Sequence, residues 1–413
     1  MRRCELDALL LALPVSVRYA TEHESSFEMV FRDHMLSTAG RMGRPFRSFA
    51  VISANGDRAL VAHAAIAVTS YRGWEGALEV YGGAGFDDAV VDDVPAEMRL
   101  LARRLASPTA ERTPIEAAAA AISTVAPDAR RVGVELDGLE PGELDQLARA
   151  FGAPRPELPD ASVLVRLIRM VKSGDQVARL KHAAEVAEVG LDALIDTAAP
   201  GVDALSLADR LRAIAGEHGA DFEHFAIDPR GLGIAMGSHV FDEQDVTMLD
   251  IGCRFRGCVS DSGVTLALAA PSAEVEEEYA ALVASIESGA DRLRPGEHVV
   301  DIHRAMRAAV DRTAGASSRP QGHGLGQEPK ELPLIDAVEG ARLRDECIDV
   351  DANLPLEEGM VINLEIPLDV PGSRSFQIEK TFLITADGAR PIVPQDRAGI
   401  ALASTAPLRT IQP

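Results

Sequence analysis

The stretch VTMLDIGCRFRGCVSDSGVTLAL, at residues 246–268, decides how this chain folds, because two apolar runs within it each carry an aspartate. The short segment between the runs is typical of a turn, so the stretch predicts a β-hairpin. If Phe255 and Arg256 form its tip, Asp250 lies directly opposite Asp261. Residues opposed in this way have Cβ atoms roughly 4.5–5.5 Å apart.

A second hairpin of the same kind is predicted further along the chain. The apolar runs at residues 360–366 and 376–384 flank a turn that carries Gly372. With the turn centred on Gly372, Glu365 lies opposite Glu379. Two carboxylates so close in apolar surroundings repel each other and resist ionisation. A shared proton or a cation relieves that repulsion, and two such pairs suit two divalent ions about 3.5–4 Å apart.

A histidine between the two hairpins is the fifth candidate ligand. His323 lies in the run GHGLG at residues 322–326, where the flanking glycines let other groups approach the imidazole closely. Four carboxylates with one imidazole favour Mn, Fe, Co or Zn over a thiolate-type site. Taken singly, an aspartate in a strand or a histidine in a loop is more often a surface residue. The two symmetric pairs are what favour a metal site.

The composition is typical of a soluble globular protein with an acidic surface. Of the 413 residues, 46% are hydrophobic and 25% are charged, and 41 Lys+Arg against 64 Asp+Glu give a net charge of −23. Such a surface repels phosphate backbones, so we expect no nucleic-acid partner. No apolar stretch reaches the roughly 18 residues of a membrane span, so we expect no membrane association.

The cysteines indicate a reducing compartment. They form no CxxC pair and no dense framework, and they are Cys4, Cys253, Cys258 and Cys347. Free thiols of this kind suit the cytoplasm, which is the expected location.

Two domains are predicted, at residues 1–164 and 165–413. The first part alternates short apolar strands with helices, including a helix at residues 97–106, and this indicates an α/β domain. Several prolines within residues 153–160 mark the boundary. A long helix that begins near Ser173 then leads into a strand-rich region.

Together these residues resemble the pita-bread metalloenzymes, the family of methionine aminopeptidase, aminopeptidase P, prolidase and creatinase. The five candidate ligands follow the family's order: Asp250, Asp261, His323, Glu365 and Glu379. Three segments are similar to the family's own: GHGLGQEPKELP at 322–333, EGMVINLE at 358–365 and IEKT at 378–381. LDALL at 6–10 and RMVKS at 169–173 extend the likeness to nearly the whole chain and favour the prolidase, aminopeptidase P and creatinase branch.

The resemblance implies a creatinase-like α/β N-terminal domain and an α+β pita-bread catalytic domain with a curved antiparallel sheet. It implies that Asp250 chelates one of two metal ions. Asp261 and Glu379 would bridge both ions, and His323 and Glu365 would bind the other. A metal-bridging hydroxide would attack an amide carbonyl, and the protein would be a homodimer, as its relatives commonly are.

The same resemblance assigns catalytic roles to two further positions. His239 matches the family's histidine near the substrate, with a solvent-facing loop histidine as the alternative. The family's second catalytic histidine falls on Lys330, which can donate hydrogen bonds to an oxyanion but cannot accept one through a ring nitrogen. Buried beside metal ions, Lys330 would be neutral and able to act as a base. The alternative is a lysine that points to solvent.

Other positions depart from the family's pattern or are set aside. Cys258 stands where the family often has an aromatic residue and Val264 where it has an arginine, which indicates an altered substrate. The cluster of His218, Glu223 and His224 lacks the HExxH spacing of zinc peptidases, so we predict that these groups lie at the surface or behind the ligands.

The sequence therefore predicts a dinuclear metal-dependent hydrolase that resembles Xaa-Pro dipeptidases and aminopeptidases and acts on a short peptide or small molecule. One alternative is a non-peptidase of the same fold that acts on a small nitrogen-containing metabolite by C–N hydrolysis or lyase chemistry. Another is a binding protein that has lost catalysis, which the complete ligand set disfavours.

Overall fold

The computed structural model divides the chain into two compact units. It describes residues 1–23, 35–36, 42–44, 46–64, 66, 74–82, 95, 99, 102, 112–236, 238–310, 318–336, 339–394 and 399–403. The first unit comprises Met1–Arg166 and Leu343–Val350, and the second comprises Leu167–Arg342 and Asp351–Pro413. The helix expected at residues 97–106 lies outside the described residues, except for Arg99 and Ala102.

The first unit contains a five-stranded mixed sheet in the order β6-β5-β4-β1-β7 and a separate β2–β3 ribbon. Its strands are β1 (Ala8–Leu11), β2 (Met35–Leu36), β3 (Met42–Gly43), β4 (Phe49–Ser53), β5 (Arg58–His63), β6 (Ala77–Tyr81) and β7 (Val132–Val134). Its helices are α1 (Pro14–Thr21), α2 (Pro114–Val125) and α3 (Glu143–Ala150), and α4 (Ser162–Arg169) follows. Strand β1 is buried along its whole length, as its unbroken apolar sequence predicts.

Local capping signals determine where the main helices begin. Thr113 and Glu116 form a reciprocal capping box at the start of α2, with a proline at the first helical position. In the second unit, Ser173 and Gln176 form the same box at the start of helix α5 (Gly174–Thr197). The helix predicted to begin near Ser173 is therefore confirmed.

The second unit is built from two similar halves, each a helix pair on a sheet. The remaining helices are α6 (Ala204–Glu217), α7 (Ala273–Ala290) and α8 (Val299–Val310). The strands are β8 (Asp221–Ile227), β9 (Val246–Phe255), β10 (Cys258–Val259), β11 (Ser262–Ala267), β12 (Gln321–Gly324), β13 (Glu331–Ile335), β16 (Val361–Val370), β17 (Arg374–Thr385), β18 (Gly388–Pro391) and β19 (Ala401–Leu402). Between β13 and β16 the chain contributes β14 (Arg342–Arg344) and β15 (Asp349–Asp351), most of whose residues belong to the first unit. Strands β14 and β15 form a ribbon of their own.

Each half buries one apolar face of its sheet beneath its helices. One sheet has the order β10-β9-β11-β19, with β8 beside β9, and the other has the order β13-β12-β16-β17-β18. Leu191 of α5 and Leu211 of α6 pack with Leu249 of β9 in one core. Ile286 of α7 and Met306 of α8 occupy the other core, which also contains residues of β16. Among the described residues, no helix is both long and apolar enough to cross a bilayer.

The two predicted hairpins are both present, but only one has the predicted register. In the β16–β17 hairpin Glu365 lies directly opposite Glu379, as the turn centred on Gly372 predicts. In the β9–β11 hairpin Asp250 lies opposite Gly263, so the predicted pairing with Asp261 is wrong.

The turn explains the shift. Phe255 still pairs with Cys258 in the ladder, so the two residues of the turn are Arg256 and Gly257. Their φ angles are 45° and 82°. Two-residue hairpin turns favour positive φ at both positions, and glycine reaches such angles without strain. The tip therefore lies one residue later than predicted, and Asp261 immediately precedes β11.

Candidate metal centre

The buried pair on the β16–β17 hairpin forms one side of the candidate site. Glu379 is only 4% exposed, and the Nδ2 atom of Asn363 lies 3.5 Å from one of its carboxylate oxygens. Gln377 also donates a hydrogen bond to Glu379. Burial, and then the nearby aspartates and Glu365, raise the pKa of Glu379 well above its ordinary value. Burial likewise raises the pKa of Glu365.

Asp250 and Asp261 of the β9–β11 hairpin form the other side. The Nε2 atom of Gln377 lies 3.4 Å from Oδ2 of Asp250. Burial raises the pKa of Asp250, and the nearby charge of Asp261 adds to this, against the lowering effect of a hydrogen bond with His224. Acidic groups that resist ionisation for these reasons favour a bound cation.

Hydrogen bonds between the two hairpins hold these carboxylates together. The backbone N–H of Met248 donates to Oγ of Ser375 at 2.8 Å. The hydroxyl of Thr265 donates to the carbonyl of Gln377 at 3.0 Å and accepts from its N–H at 3.1 Å. The hydroxyls of Ser375 on β17 and Thr265 on β11 thus replace the backbone ladder that two separate sheets lack, and Thr265 fixes the position of Gln377 beside the acidic groups.

His323, on β12, completes the predicted set. Its Nε2 atom lies 3.5 Å from Oδ2 of Asp261 and 3.7 Å from Oε1 of Glu365. The imidazole is buried, and its Nδ1 atom lies 3.1 Å from the carbonyl oxygen of Gly324. The structure therefore brings all five predicted ligands into one cluster.

A sixth donor, His224 of β8, also lies in this cluster. Its Nε2 atom lies 3.0 Å from Oδ1 of Asp250 and 3.4 Å from Oδ1 of Asp261. Burial alone lowers the pKa of His224, but the hydrogen bonds and charges of the two aspartates raise it to about 10. The sequence predicts that His224 lies at the surface or behind the ligands, and its contacts with Asp250 and Asp261 place it directly against two predicted ligands.

The neighbours of His224 behave as the sequence predicts. His218 lies at the end of α6, with Nδ1 2.9 Å from the carbonyl oxygen of Ile214, and Glu223 pairs with Arg254 at 2.7 Å. Alternation along β8 directs residues 223 and 224 to opposite faces of the sheet. That alternation is the sequence signal that could have separated His224 from Glu223.

The donors fit a divalent cation. One atom each from His224, Asp250 and Asp261 lie within 4.8 Å of one another, which makes this group a possible metal-binding site. Oxygen and imidazole nitrogen are the ligands that first-row divalent metals prefer when no thiolate is present. The crowding of acidic groups has its simplest explanation in the charge of such an ion.

His239 lies against another acidic group. Its Nε2 atom is 2.6 Å from Oδ2 of Asp245, and its ring meets Phe241 edge-on. Asp245 is buried and also binds Arg230 at 3.0 Å. The described contacts of His239 thus fix its ring through Asp245 and not through the six clustered donors.

Lys330 is exposed at the surface. The burial that would make it neutral and able to act as a base is therefore absent, and that part of the prediction is wrong. The following residue, Glu331, is buried instead, with Oε2 2.6 Å from Nζ of Lys172 and Oε1 2.7 Å from Nη2 of Arg169. The polar loop before β13 leaves Lys330 in solvent, and the ion pairs draw Glu331 inward.

Fold and site together define a metal-dependent hydrolase of the pita-bread type. The sequence profile described as metallopeptidase family M24 matches residues 169–386, more than half of the chain. The chain belongs to metallopeptidase family M24.

Curated relatives are similar over part of their length. The chain is 27% identical over 259 residues to the uncharacterized peptidase YqhT of Bacillus subtilis, covering 60% of this chain and 68% of that protein. It is 24% identical over 240 residues to an uncharacterized peptidase of Staphylococcus aureus, covering 55% and 64%. The match thus spans about two thirds of either relative.

Solved structures are similar over almost the whole chain. An Xaa-Pro dipeptidase from Bacillus anthracis has a TM-score of 0.70 at 19% identity, covering 97% of this chain and 96% of that one. An X-Pro aminopeptidase from Thermotoga maritima has a TM-score of 0.71 at 18% identity, covering 96% and 98%. At such identities the likeness shows the fold, and it confirms the predicted pita-bread architecture and two-domain layout.

Proposed function

We propose that this protein is a dinuclear metal-dependent peptidase that hydrolyses short peptides, with the bond before proline as its first candidate substrate. The observation that supports it most strongly is the convergence of four carboxylates and His323, from four strands and the residue before β11, in a chain of family M24. The names of the structural neighbours point to the same Xaa-Pro substrates.

The five predicted ligands would be divided between the two ions. Asp250 would hold one ion, His323 and Glu365 the other, and Asp261 and Glu379 would contact both. When bound, the two ions would supply Lewis acidity that activates water and polarises an amide carbonyl.

Two residues outside the metal cluster would serve the substrate. His239, oriented by Asp245 at 2.6 Å, would donate or accept a hydrogen bond at the substrate. Lys330, exposed on the loop before β13, would place a positive charge where a peptide carboxylate or an oxyanion could meet it.

A second function is favoured by that same lysine. An exposed Lys330 replaces the histidine that the resemblance leads us to expect, so the donor that contacts the substrate differs in charge and reach. A non-peptidase that cleaves a C–N bond in a small nitrogen-containing metabolite is therefore our alternative.

One screen tests both functions. Metal-free protein would be reloaded with Mn, Fe, Co or Zn, its bound ions counted, and Xaa-Pro dipeptides and tripeptides offered beside non-proline peptides. We expect two ions per chain and cleavage that chelator abolishes, with Asp261→Ala inactive. Fewer than one ion per chain would refute the dinuclear proposal. If two ions bind but neither the wild type nor Lys330→His cleaves any peptide, the alternative function, a non-peptidase acting on a small metabolite, is favoured.

We propose three further properties together with this function: the metal, the cellular location and the oligomeric state. Mn, Fe, Co and Zn are the candidate metals because the ligand set combines carboxylates with an imidazole and contains no thiolate. A cytoplasmic location follows from the free thiols, and a homodimer follows from the family resemblance. Sedimentation velocity would test the dimer, and a monomer at micromolar concentration would refute it.

A further inference from the structure

The ring of His224 occupies a space that its cross-strand partner leaves empty. His224 on β8 pairs with Gly252 on β9, next to an irregularity in register between Phe222 and His224. A Cβ atom at Gly252 would lie 2.4 Å from Cε1 and 2.5 Å from Nδ1 of His224. Such bulges redirect side chains, and any residue larger than glycine at 252 would displace the imidazole.

The distances from His224 match those between two ligands of one ion. Two donors that are each about 2.1 Å from a metal lie about 3.0 Å apart at a right angle and about 3.4 Å apart in a tetrahedral arrangement. The Nε2 atom of His224 lies 3.0 Å from Asp250 and 3.4 Å from Asp261. A single ion held by His224, Asp250 and Asp261 would account for both distances.

Asp261 lies between two imidazoles, one toward each oxygen. Its Oδ1 atom is 3.4 Å from Nε2 of His224, and its Oδ2 atom is 3.5 Å from Nε2 of His323. A carboxylate that bridges two ions offers one oxygen to each. When two ions are bound, each would thus have one oxygen of Asp261 and one imidazole within reach.

We propose that His224 is a sixth metal ligand, binding through Nε2 the ion that Asp250 and Asp261 hold. This inference rests on the proposed dinuclear site. It makes the centre nearly symmetric, with one histidine on each ion. Because imidazole suits Zn and Fe, whereas carboxylate suits Mn, a second histidine also shifts the expected preference among the candidate metals toward Zn and Fe.

Metal titration of two His224 variants tests the proposal. His224→Ala removes the ligand, and His224→Gln keeps a hydrogen-bond donor for Asp250 without an imidazole. His298, exposed and hydrogen-bonded to the carbonyl of Asn353 at 2.8 Å, supplies the control His298→Ala. We expect one of two Co or Zn ions to bind at least about 100-fold more weakly in both His224 variants, and neither ion to be affected in the control.

A measurement on the wild-type protein makes the test independent of folding in the variants. X-ray absorption at the Zn or Co edge should count two imidazoles per pair of ions. One imidazole per pair, or a His224→Gln variant with both affinities intact, would overturn the proposal while leaving the dinuclear hydrolase in place. A wild-type protein that binds no ion would overturn both.

Discussion

Gly263 on β11 lies against Glu379 on β17, so closely that a Cβ atom at residue 263 would be 2.9 Å from both Cγ and Cδ of the glutamate. Gly263 also lies directly opposite Asp250 in its own hairpin. The missing side chain therefore opens the space through which a carboxylate from one sheet reaches an aspartate on the other.

Gly263→Ala is expected to displace Glu379 and weaken metal binding. Overpacking of this kind typically costs about 1–3 kcal/mol of stability, and we expect at least a tenfold rise in the Kd of one ion, on the order of a lost supporting contact. Isothermal titration of metal-free protein would measure it. Gly216→Ala, in helix α6 with nothing within 4 Å of the added Cβ, is the control. Equal affinities in the two variants would contradict the prediction.

Glu379→Gln should have opposite effects with and without metal. The pKa of Glu379 is raised well above its ordinary value, so ionising it costs stability, and that cost grows as pH rises above the pKa of the unfolded chain. The metal-free variant should therefore be at least as stable as the wild type at pH 7. Metal binding should stabilise the wild type by about 2.7 kcal/mol at a metal concentration of 100 Kd, and the accompanying rise in Tm should shrink or vanish in the variant. A full metal response would exclude Glu379 as a ligand.

The Glu331 cluster offers a matched pair of substitutions. Both Glu331 and Glu328 contact Nη2 of Arg169, at 2.7 and 2.6 Å, but their side chains are 6% and 42% exposed. Burial tends to raise the pKa of Glu331, and Lys172 and Arg169 outweigh it, so the pKa is lowered and the group is charged. Glu331→Gln should cost about 3–5 kcal/mol because buried cations lose their partner. Glu328→Gln should cost at most about 1 kcal/mol. Urea unfolding would measure both, and similar losses would contradict the role of burial.

His23 should make the first unit sensitive to acid. Burial, followed by the nearby charge of Arg18, lowers its pKa from 6.5 to about 4, so the native state holds it neutral. As pH falls from about 6.5 to about 4, the unfolded chain takes up the proton first and stability is lost. Between pH 7 and pH 5 the loss is roughly 2 kcal/mol. The free energy of unfolding would be measured at pH 7 and pH 5 for both proteins, and its fall between the two pH values should be smaller in His23→Gln than in the wild type. An equal fall in both proteins would rule out His23 as the source of the acid sensitivity.

The sequence predicts the register of the β16–β17 hairpin but not that of the β9–β11 hairpin, because the two turns differ in how clearly their residues mark the tip. A turn centred on Gly372 places Glu365 opposite Glu379, and the structure has that register. The tip at Arg256 and Gly257 depends on which residues adopt positive φ. Several residues near that glycine are compatible with a turn, so pattern alone misplaces the tip by one residue.

Two side chains near the site show what a linear pattern cannot predict. Alternation along β8 separates His224 from Glu223, but the approach of His224 to the cluster also depends on a register irregularity in β8 and on the absence of a side chain at Gly252. Neither of these two features is visible without the pairing of strands. Lys330 lies in solvent while the adjacent Glu331 is buried, because cations distant in sequence, Arg169 and Lys172, neutralise the glutamate. Long-range partners determine both outcomes.

The serine hydroxyl that links the two hairpins also has a mechanical consequence. Ser375 accepts from the N–H of Met248 at 2.8 Å and donates to the carbonyl of Asp228 at 2.6 Å. A single side chain thus links β9, β17 and the loop after β8 through hydrogen bonds. Any sliding of one sheet past the other must strain this joint, and the same sliding would pull Asp250 away from Glu379. A cation held by both sheets would therefore resist shear, and amide hydrogen exchange at Met248 should slow when the ion binds.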